Sequence, residues 1–494
     1  MSGAAGEGHR PPDPLRARFA AAAAQHERHR LAACERLDTL FDEGTMMPIA
    51  VGAGVITAAG LVGGQRVMAF AQDVTDQGGI ATADQAAHTA ELLARAQAAQ
   101  APVVGLYDSG GLALDEAQAA LAGQATILHA LAHGGRQRVP HLALVFGDAI
   151  GAAAFAPAMA HLTFMLARAS RLYVSGPDVL RDATGELATV EALGGAMLHA
   201  TTSGIADRIF ADEIELLFAA RMAIGLLVPD VAPSADPASR GAAHLDTLVP
   251  ADPAEPYDMR ELVQAICDDR AWLELQPDRG DGMLCGIARI GGRSIGIMAN
   301  QPIVTGGVID RAAIAKATRL AALCATCRLP IVTLVDSPGL MPGAQEEAGG
   351  IVAAGAALLA TVARADVPVI TVVTRRATGP AWLMMAPRGA AGGARFAWPT
   401  AEIAAMNAAG AARLLLRDGD DAATREKVRD YAASIADPVN AVASGIVDAV
   451  IRPADTRGAI ALALARHDAQ GSGRSLPNPD PQGSGTLKER DRNG

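Results

Sequence analysis

PVVGLYDSGG (residues 102–111) and PHLALVFGDAIGAA (140–153) decide the reading of this chain. Each is a short apolar run bounded by proline and glycine, the pattern of a buried strand that runs into a glycine turn and then a helix. Glycine at such a turn lets a ligand approach the backbone closely. The helix that follows offers unpaired N–H groups to a negative oxygen. Side by side, Asp108-Ser109-Gly110-Gly111 and Gly151-Ala152-Ala153 have the makings of an oxyanion hole, a device that stabilises an enolate or tetrahedral oxyanion.

The same pattern returns in the second half. Gly63-Gly64 recurs as Gly291-Gly292, Gly78-Gly79 as Gly306-Gly307 and Pro102 as Pro330. Asp108-Ser109 recurs as Asp336-Ser337, Pro140 as Pro368 and Gly151 as Gly379, every pair at the same offset of 228. A constant offset across so many turn residues identifies a tandem duplication with two loop sites in equivalent places.

Composition agrees. A chain of 494 residues accommodates two domains of ordinary size, each with a full core. Half of it is apolar but only 3% aromatic, so alanine, leucine and valine fill the interior. The net charge of −11 argues against general nucleic-acid binding, which needs a basic face. MSGAAGEGHRPPDP at the start is polar and has no charged-then-apolar signal pattern. The uncharged run Met46 to Gly64 is long enough to suggest a membrane span, but it holds Pro48 and five glycines and reads as strands and turns. The five cysteines are scattered and odd in number, which speaks against a disulfide framework and for a reducing cytoplasm. Cys324 and Cys327 lack a second pair to complete a zinc site and read as buried helix cysteines, so no metal is expected.

In chain order, 15–44 reads as helical and 52–57 and 66–71 as strands, followed by a helix over about 82–99. Next come strand 103–107, a helix through about 131, strand 141–146, a helix from about 152 and a strand over Ser170–Val174. This alternation implies an α/β fold with right-handed crossovers and mostly parallel sheet. Segment 175–210, rich in glycine and threonine between helical pieces, reads as a functional loop region. The expected organisation is a loose N-terminus over 1–27, a first domain over 28–228 and a proline- and alanine-rich linker over 229–257. A second domain over 258–466 and a disordered polar tail over 467–494 complete it.

With these residues laid out, the chain resembles the carboxyltransferase (β) subunits of biotin-dependent acyl-CoA carboxylases of the propionyl-CoA and acetyl-CoA carboxylase type. The resemblance covers about residues 28–465 and rests on ERLDTLFDEGT, FAQDVTDQGG, VVGLYDSGG, SGPDVL, ELATVEALGGAMLHATTSGIADR and LVPADPAEPYDMRELV in the first half and the link. ANQPIVTGG, IVTLVDSPGLMPGAQEEAGG, FAWPTAEIAAM and ADPVNAVASGIVDAVIRPADTR carry it through the second.

The resemblance implies two tandem crotonase-like (ClpP/crotonase) ββα-spiral domains. It also implies a homo-oligomer, a dimer or trimer of dimers, in which the first domain of one subunit faces the second domain of its partner. It implies an acyl-CoA thioester held by N–H groups around Gly110-Gly111 and Gly151-Ala152, with Ser109, His199 and Leu383 as further substrate contacts. Carboxybiotin, on a separate carrier with its own biotin carboxylase, would lie near Gly339 and Gly379–Ala381. A carboxyl group would then move between biotin and the α-carbon through an enolate, with the ureido anion taking the α-proton, so no side-chain base is required.

The departures bear on this picture. Where the family reads G-P-C-A-G-G-A, this chain has Gly147-Asp148-Ala149-Ile150-Gly151-Ala152-Ala153. Its second loop has Gly379-Pro380-Ala381 in place of Gly-Gly-Ala, and proline has no N–H to donate. Leu112–Glu116 replace the usual arginine and glutamine, and Ile351–Ala357 lack the usual histidine and lysine. Leu383 at the acyl-length position favours an apolar contact. The thioester side looks usable and the biotin side damaged, so two alternatives stand beside carboxyl transfer. One is a biotin-independent decarboxylase of a malonyl-type thioester. The other is a non-catalytic partner subunit of a mixed complex.

Among single residues, Asp108 and Asp336 are expected to cap helices or fix loops. His199 either contacts substrate or is a hydrogen-bonded structural histidine. Arg375 and Arg376 either bind an anion or form a solvated pair, and Lys316 and Arg319 read as surface charges.

Overall fold

The computed structural model describes residues 22–136, 138–227, 235–250, 252, 255–387, 391–416 and 422–471. Most of the expected loose N-terminus and most of the expected tail lie outside these residues, but a C-terminal helix, Thr456–Gly471, continues past residue 466.

The first half forms an eight-stranded sheet in the order β1-β2-β3-β4-β5-β6-β8, with β7 beside β5. Its strands are β1 Met47–Gly52, β2 Val55–Val62, β3 Gln65–Gln72, β4 Val103–Ser109, β5 His141–Ile150, β6 Leu162–Leu166, β7 Arg171–Tyr173 and β8 Arg208–Phe210. The apolar run from Met46 is therefore strand and turn. β1-β2-β3 is an antiparallel meander, and from β3 onward every pairing is parallel. Parallel neighbours need helical crossovers, supplied here by helices such as Ala83–Ala99 and Gln118–Arg136.

The second half repeats the sheet as β16-β14-β13-β12-β11-β10-β9, with β15 beside β13. These strands are β9 Trp272–Leu275, β10 Met283–Ile290, β11 Arg293–Asn300, β12 Ile331–Ser337, β13 Val369–Thr378, β14 Gly393–Ala397, β15 Glu402–Ala404 and β16 Ala449–Val450. β2, β3, β4 and β5 map onto β10, β11, β12 and β13 at the offset of 228 at both ends of each strand.

The principal helices are α1 Ala33–Leu40, α2 Ala83–Ala99, α3 Gln118–Arg136, α4 Glu213–Leu227, α5 Arg311–Cys327 and α6 Pro380–Met385. The duplication extends to helix ends. The Thr82 side chain caps α2 by accepting from the Gln85 N–H, and Asp310 at the equivalent position caps α5 by accepting from Ala313. Both helices stop at a left-handed residue, Gln100 and Arg328 respectively.

Both copies share a β-bulge. The β4–β5 register slips between Tyr107 and Ser109, and the β12–β13 register between Val335 and Ser337. The extra residues lie in β5 and β13, which advance from Val145 to Ala149 and from Val373 to Ala377 while their partners advance by two. A bulge re-aims the end of its strand, and here it turns the Gly151 and Gly379 loops toward the DSGG and DSPG segments.

Two expectations are corrected. The helix over 15–44 is broken, where described, into Ala23–His26 and α1, with His29 left-handed between them. Segment 175–210, read as a loop region between helical pieces, carries helices Pro177–Thr184 and Val190–Gly194 and a π-turn over His199–Ser203. Lys316 and Arg319 are not surface charges. Lys316 is 2% exposed and donates to the Arg279 carbonyl at 3.1 Å, while Arg319 reaches across to Asp207 of the first half at 2.7 Å. α5 lies at the seam between the halves, so its charged face meets protein rather than water.

α4 is wedged between the two sheets, touching β5, β6 and β8 on one side and β10 and β11 on the other. One hydrophobic core, including Leu216, Leu217, Ala220 and Ile224 of α4 with Ile56 and Ile287, runs through both halves. The connecting segment is packed where described, with Ala242, Leu245 and Tyr257 buried against the second sheet.

Candidate active site

The two loops singled out in the first half meet at the ends of β4 and β5. Gly111 is left-handed (φ 112°), and a Cβ there would lie 3.8 Å from the Ile150 carbonyl oxygen. Gly151 is left-handed too (φ 66°) and opens a 3₁₀ turn, Gly151–Ala154, that continues into helix Phe155–Ala158. Such a start leaves its first N–H groups without an intrahelical partner. Among the described residues, neither the Gly151 nor the Ala152 N–H has an acceptor. Gly110 beside them is exposed.

Ser109 is buried at 1% exposure, and its hydroxyl accepts from the Gly111 N–H at 3.3 Å. It closes the glycine turn on itself and does not face outward. Asp108 caps no helix; it is buried and ion-paired to Arg30 and Arg36, which is 2.9 Å away. Arg36 also meets Glu213 at 2.8 Å. Burial alone would lower the Arg36 pKa, but its bonds to Glu213 and Asp108 outweigh that and hold the guanidinium above its ordinary value. This network fixes the bulge from below. Nothing local in the sequence marked it, since Arg30, Arg36 and Glu213 come from distant segments; ERLDTLFDEGT was the nearest signal.

His199 lies at the base of the same region, 5% exposed. One ring nitrogen, Nε2, is 2.7 Å from the Leu172 carbonyl, and Nδ1 is 2.8 Å from the Ser203 hydroxyl. A carbonyl only accepts, so Nε2 carries the proton and Nδ1 takes the serine hydrogen. Burial lowers its pKa and keeps it neutral. Both nitrogens are used internally, the geometry of a positioning histidine that supports segment 199–203.

Asp148 projects beside this loop, 3.7 Å from Arg171. Burial raises its pKa against the pull of that arginine.

The second copy is built differently at its loop. Gly379 is left-handed (φ 54°), but its N–H donates to the Ala404 carbonyl at 2.8 Å. A Cβ at Gly379 would meet the Ala405 carbonyl at 3.0 Å, whereas at Gly151 the corresponding carbonyl, Val174, is 3.9 Å away. The flanking strand has closed on the loop. Pro380, first residue of α6, has no N–H, which leaves Ala381, itself fully buried, as the next donor. Gly339 sits in an open turn (φ 141°) held by Ser337, 3.3 Å from the Gly339 N–H. Leu383 projects from α6 with 58% exposure.

Arg375 and Arg376 neither bind a free anion nor form a solvated pair. Both hold Asp336, Arg375 through Oδ2 and Arg376 through Oδ1, each at 2.9 Å. The structure thus brings Gly110, Gly111, Gly151 and Ala152 together at one centre, and Gly339, Gly379, Ala381 and Leu383 around a second. Ser109 and His199 stand behind the first as supports.

Among the described residues, no group of three His, Cys, Asp or Glu is placed to hold a metal ion, and no helix is long and apolar enough to cross a membrane.

Comparison with known proteins places this geometry in context. The carboxyl transferase domain family model matches residues 24–473. A propionyl-CoA carboxylase beta chain from Cereibacter sphaeroides is 36% identical over 469 residues, covering 90% of this chain and 91% of that protein. The methylmalonyl-CoA decarboxylase subunit alpha of Veillonella parvula is 35% identical over 465 residues, covering 89% and 91%. Transcarboxylase 12S, solved as a hexamer with hydrolysed methylmalonyl-coenzyme A bound, superposes with a TM-score of 0.85 at 32% identity, covering 95% of this chain and 96% of that one. The duplicated crotonase-like fold, its paired glycine loops and these matches over nearly the whole chain converge on one conclusion: the chain belongs to the carboxyl transferase domain family.

Proposed function

We propose that this chain is an acyl-CoA carboxyltransferase that moves a carboxyl group between biotin, carried by a separate protein, and the α-carbon of a short acyl-CoA. The observation that carries this reading is the pair of N–H groups at Gly151 and Ala152, without acceptors among the described residues, beside the open Gly110-Gly111 turn. The thioester carbonyl oxygen accepts from these donors. As the carbon next to it gains negative charge, the oxygen becomes an enolate oxygen and the bonds strengthen. Removing one such donor typically costs about 10²–10³ in rate. The Arg30–Asp108–Arg36 network beneath the loop holds the donors still, so no reorganisation is needed during reaction.

What carried biotin supplies is the carboxyl group itself and a ureido anion basic enough for the α-proton. In the second copy the Ala381 N–H supports one ureido oxygen, and Leu383 lies against an apolar acyl group. A separate biotin carboxylase and carrier complete the cycle.

Exposed apolar side chains ring both centres. Leu114 at 91% and Phe155 at 49% flank the first, Val352 at 69% and Leu383 at 58% the second. Surfaces of this kind mark interaction sites and favour a homo-oligomer in which the two centres face one another.

A second reading rests on Gly379 and Pro380. With one N–H engaged and the other missing, the biotin side has lost donors that the thioester side keeps. Decarboxylation of a malonyl-type thioester needs only the first hole, and a relative named for methylmalonyl-CoA decarboxylation is 35% identical.

The test is consumption of methylmalonyl-CoA and malonyl-CoA by the purified chain, without and with free biotin. Turnover that requires biotin supports transfer. Equal turnover without biotin replaces it with decarboxylation. No turnover under either condition by a folded chain refutes both and leaves a non-catalytic partner subunit.

A further inference from the structure

At the opposite end of the strands from both centres, a cavity of about 480 Å³ opens on the seam between the halves. Arg66, Arg138 and Arg328 line it, with Gln65, Gln100 and Thr326 adding uncharged polar groups. Among the described residues, no acidic residue lines it. Gln65 and Arg66 begin β3, and Pro102 and Pro140 in the same wall immediately precede β4 and β5. The glycine loops leave the far ends of those strands. β4 is seven residues long, which at about 3.3 Å per residue sets the cavity roughly 20 Å from the thioester centre.

The duplication explains how the arginines gather. Gln100 and Arg328 are equivalent residues, each the left-handed stop of its helix, α2 or α5, and both face the cavity. Arg138 and Asp366 are also equivalent, both left-handed, and approach to 3.9 Å across the seam. The cavity therefore lies where matching positions of the two copies meet, with Arg66 and Arg138 from the first and Arg328 from the second.

The charge balance is favourable to an anion. The C-termini of α2 and α5 contribute about −0.5 each, and Asp366 contributes one negative charge beyond the lining. Three guanidiniums exceed that sum. Among the described residues, Arg66 and Arg328 have no carboxylate partner, whereas Arg36, Arg319, Arg375 and Arg376 do.

We propose that this seam cavity binds a small polyanionic phosphate, a di- or triphosphate chain free or as part of a nucleotide, as a site distinct from the thioester and biotin centres. Guanidinium forks match phosphate oxygens in geometry and charge. The volume lies in the range of small-molecule sites, roughly 300–1,000 Å³, so a nucleoside as well as its phosphates can enter. Because the arginines come from both halves, the bound anion ties the two copies together across the seam.

The test is thermal unfolding and titration calorimetry of the full chain with pyrophosphate, ADP or ATP, without metal, against sodium chloride at matched ionic strength. Binding is expected to raise Tm by at least about 2 °C. An Arg66→Ser/Arg328→Ser double variant, both positions exposed, is expected to keep its own Tm and lose the shift and the calorimetric signal. Arg138→Gln gives a second, independent loss. Tighter binding of ADP or ATP than of pyrophosphate identifies a nucleotide; equal binding identifies the phosphate chain alone. A shift matched by chloride, a shift that persists in both variants, or none with any of the three anions overturns the proposal.

Discussion

Gly147 and Arg375 hold the same strand position in the two copies of the fold, 228 residues apart, and the aspartate beside each is neutralised in a different way. A Cβ at Gly147 would sit 2.0 Å from Asp108 Oδ1, so the missing side chain leaves room for Arg30 and Arg36 to reach that carboxylate from the N-terminal segment. In the second copy Arg375 grows from the strand itself and, with Arg376, closes on Asp336. Two solutions keep one buried charge at the bulge that aims each loop.

Removing one partner of such a group leaves the rest buried and unpaired, at a typical cost of about 3–5 kcal/mol. Asp336→Asn is therefore expected to lower unfolding stability by that order, measured in urea, because Arg375 and Arg376 lose their shared carboxylate. A change below about 1 kcal/mol would mean that water already solvates them.

His199 gives a sharper contrast. Because both ring nitrogens bond within the chain, His199→Ala is expected to cost about 1–3 kcal/mol of stability. The substrate KM should stay within roughly twofold. A large rise in KM with unchanged stability would make the histidine a substrate contact instead.

His141 and His161 predict an acid-side loss of stability. Burial, with His161 beside it, pushes His141 down to about 3 from an ordinary 6.5. Burial, with Arg319 nearby, pushes His161 down to about 4. Between pH 6.5 and those values the unfolded chain binds protons that the folded chain does not, so stability falls as pH falls. Each group contributes about 1.4 kcal/mol per pH unit in that window. His141→Gln, which keeps a partner for the Tyr107 hydroxyl now 3.1 Å from the imidazole, is expected to flatten the slope by one proton. An unchanged slope would contradict the burial argument.

Much of this was legible in the sequence, for identifiable reasons. Turn glycines, prolines and the DSGG and DSPG aspartates are fixed by backbone geometry, so the duplication kept them in register and gave away both sheets. The Gly151 and Gly379 loops were legible in the same way. What pairs at long range was not. Arg30 and Arg36 reach Asp108 from more than 70 residues away, and no local pattern records that. Lys316 and Arg319 carry a spacing that suits a wet helix face, yet α5 faces the other half of the chain. Pro380 showed that one donor was missing, but the loss of the Gly379 N–H to Ala404 depends on how closely β15 approaches.

That loss leads to a prediction for the second copy. Pro380→Gly restores an N–H at the start of α6 and is expected to raise biotin-dependent transfer several-fold without changing thioester binding. No change in the biotin-dependent rate would mean that Ala381 alone already suffices.

The most direct test is the Ala152→Pro variant. Ala152 lies in the first turn of a helix, where proline is tolerated, and its N–H has no acceptor among the described residues, so the fold should stand while one oxyanion donor disappears. Carboxyl transfer from methylmalonyl-CoA to free biotin is then measured for both proteins at equal foldedness. A fall in kcat of about 10²–10³ with little change in KM is expected. Turnover equal to that of the unaltered chain would show that the first-half loop does not hold the enolate.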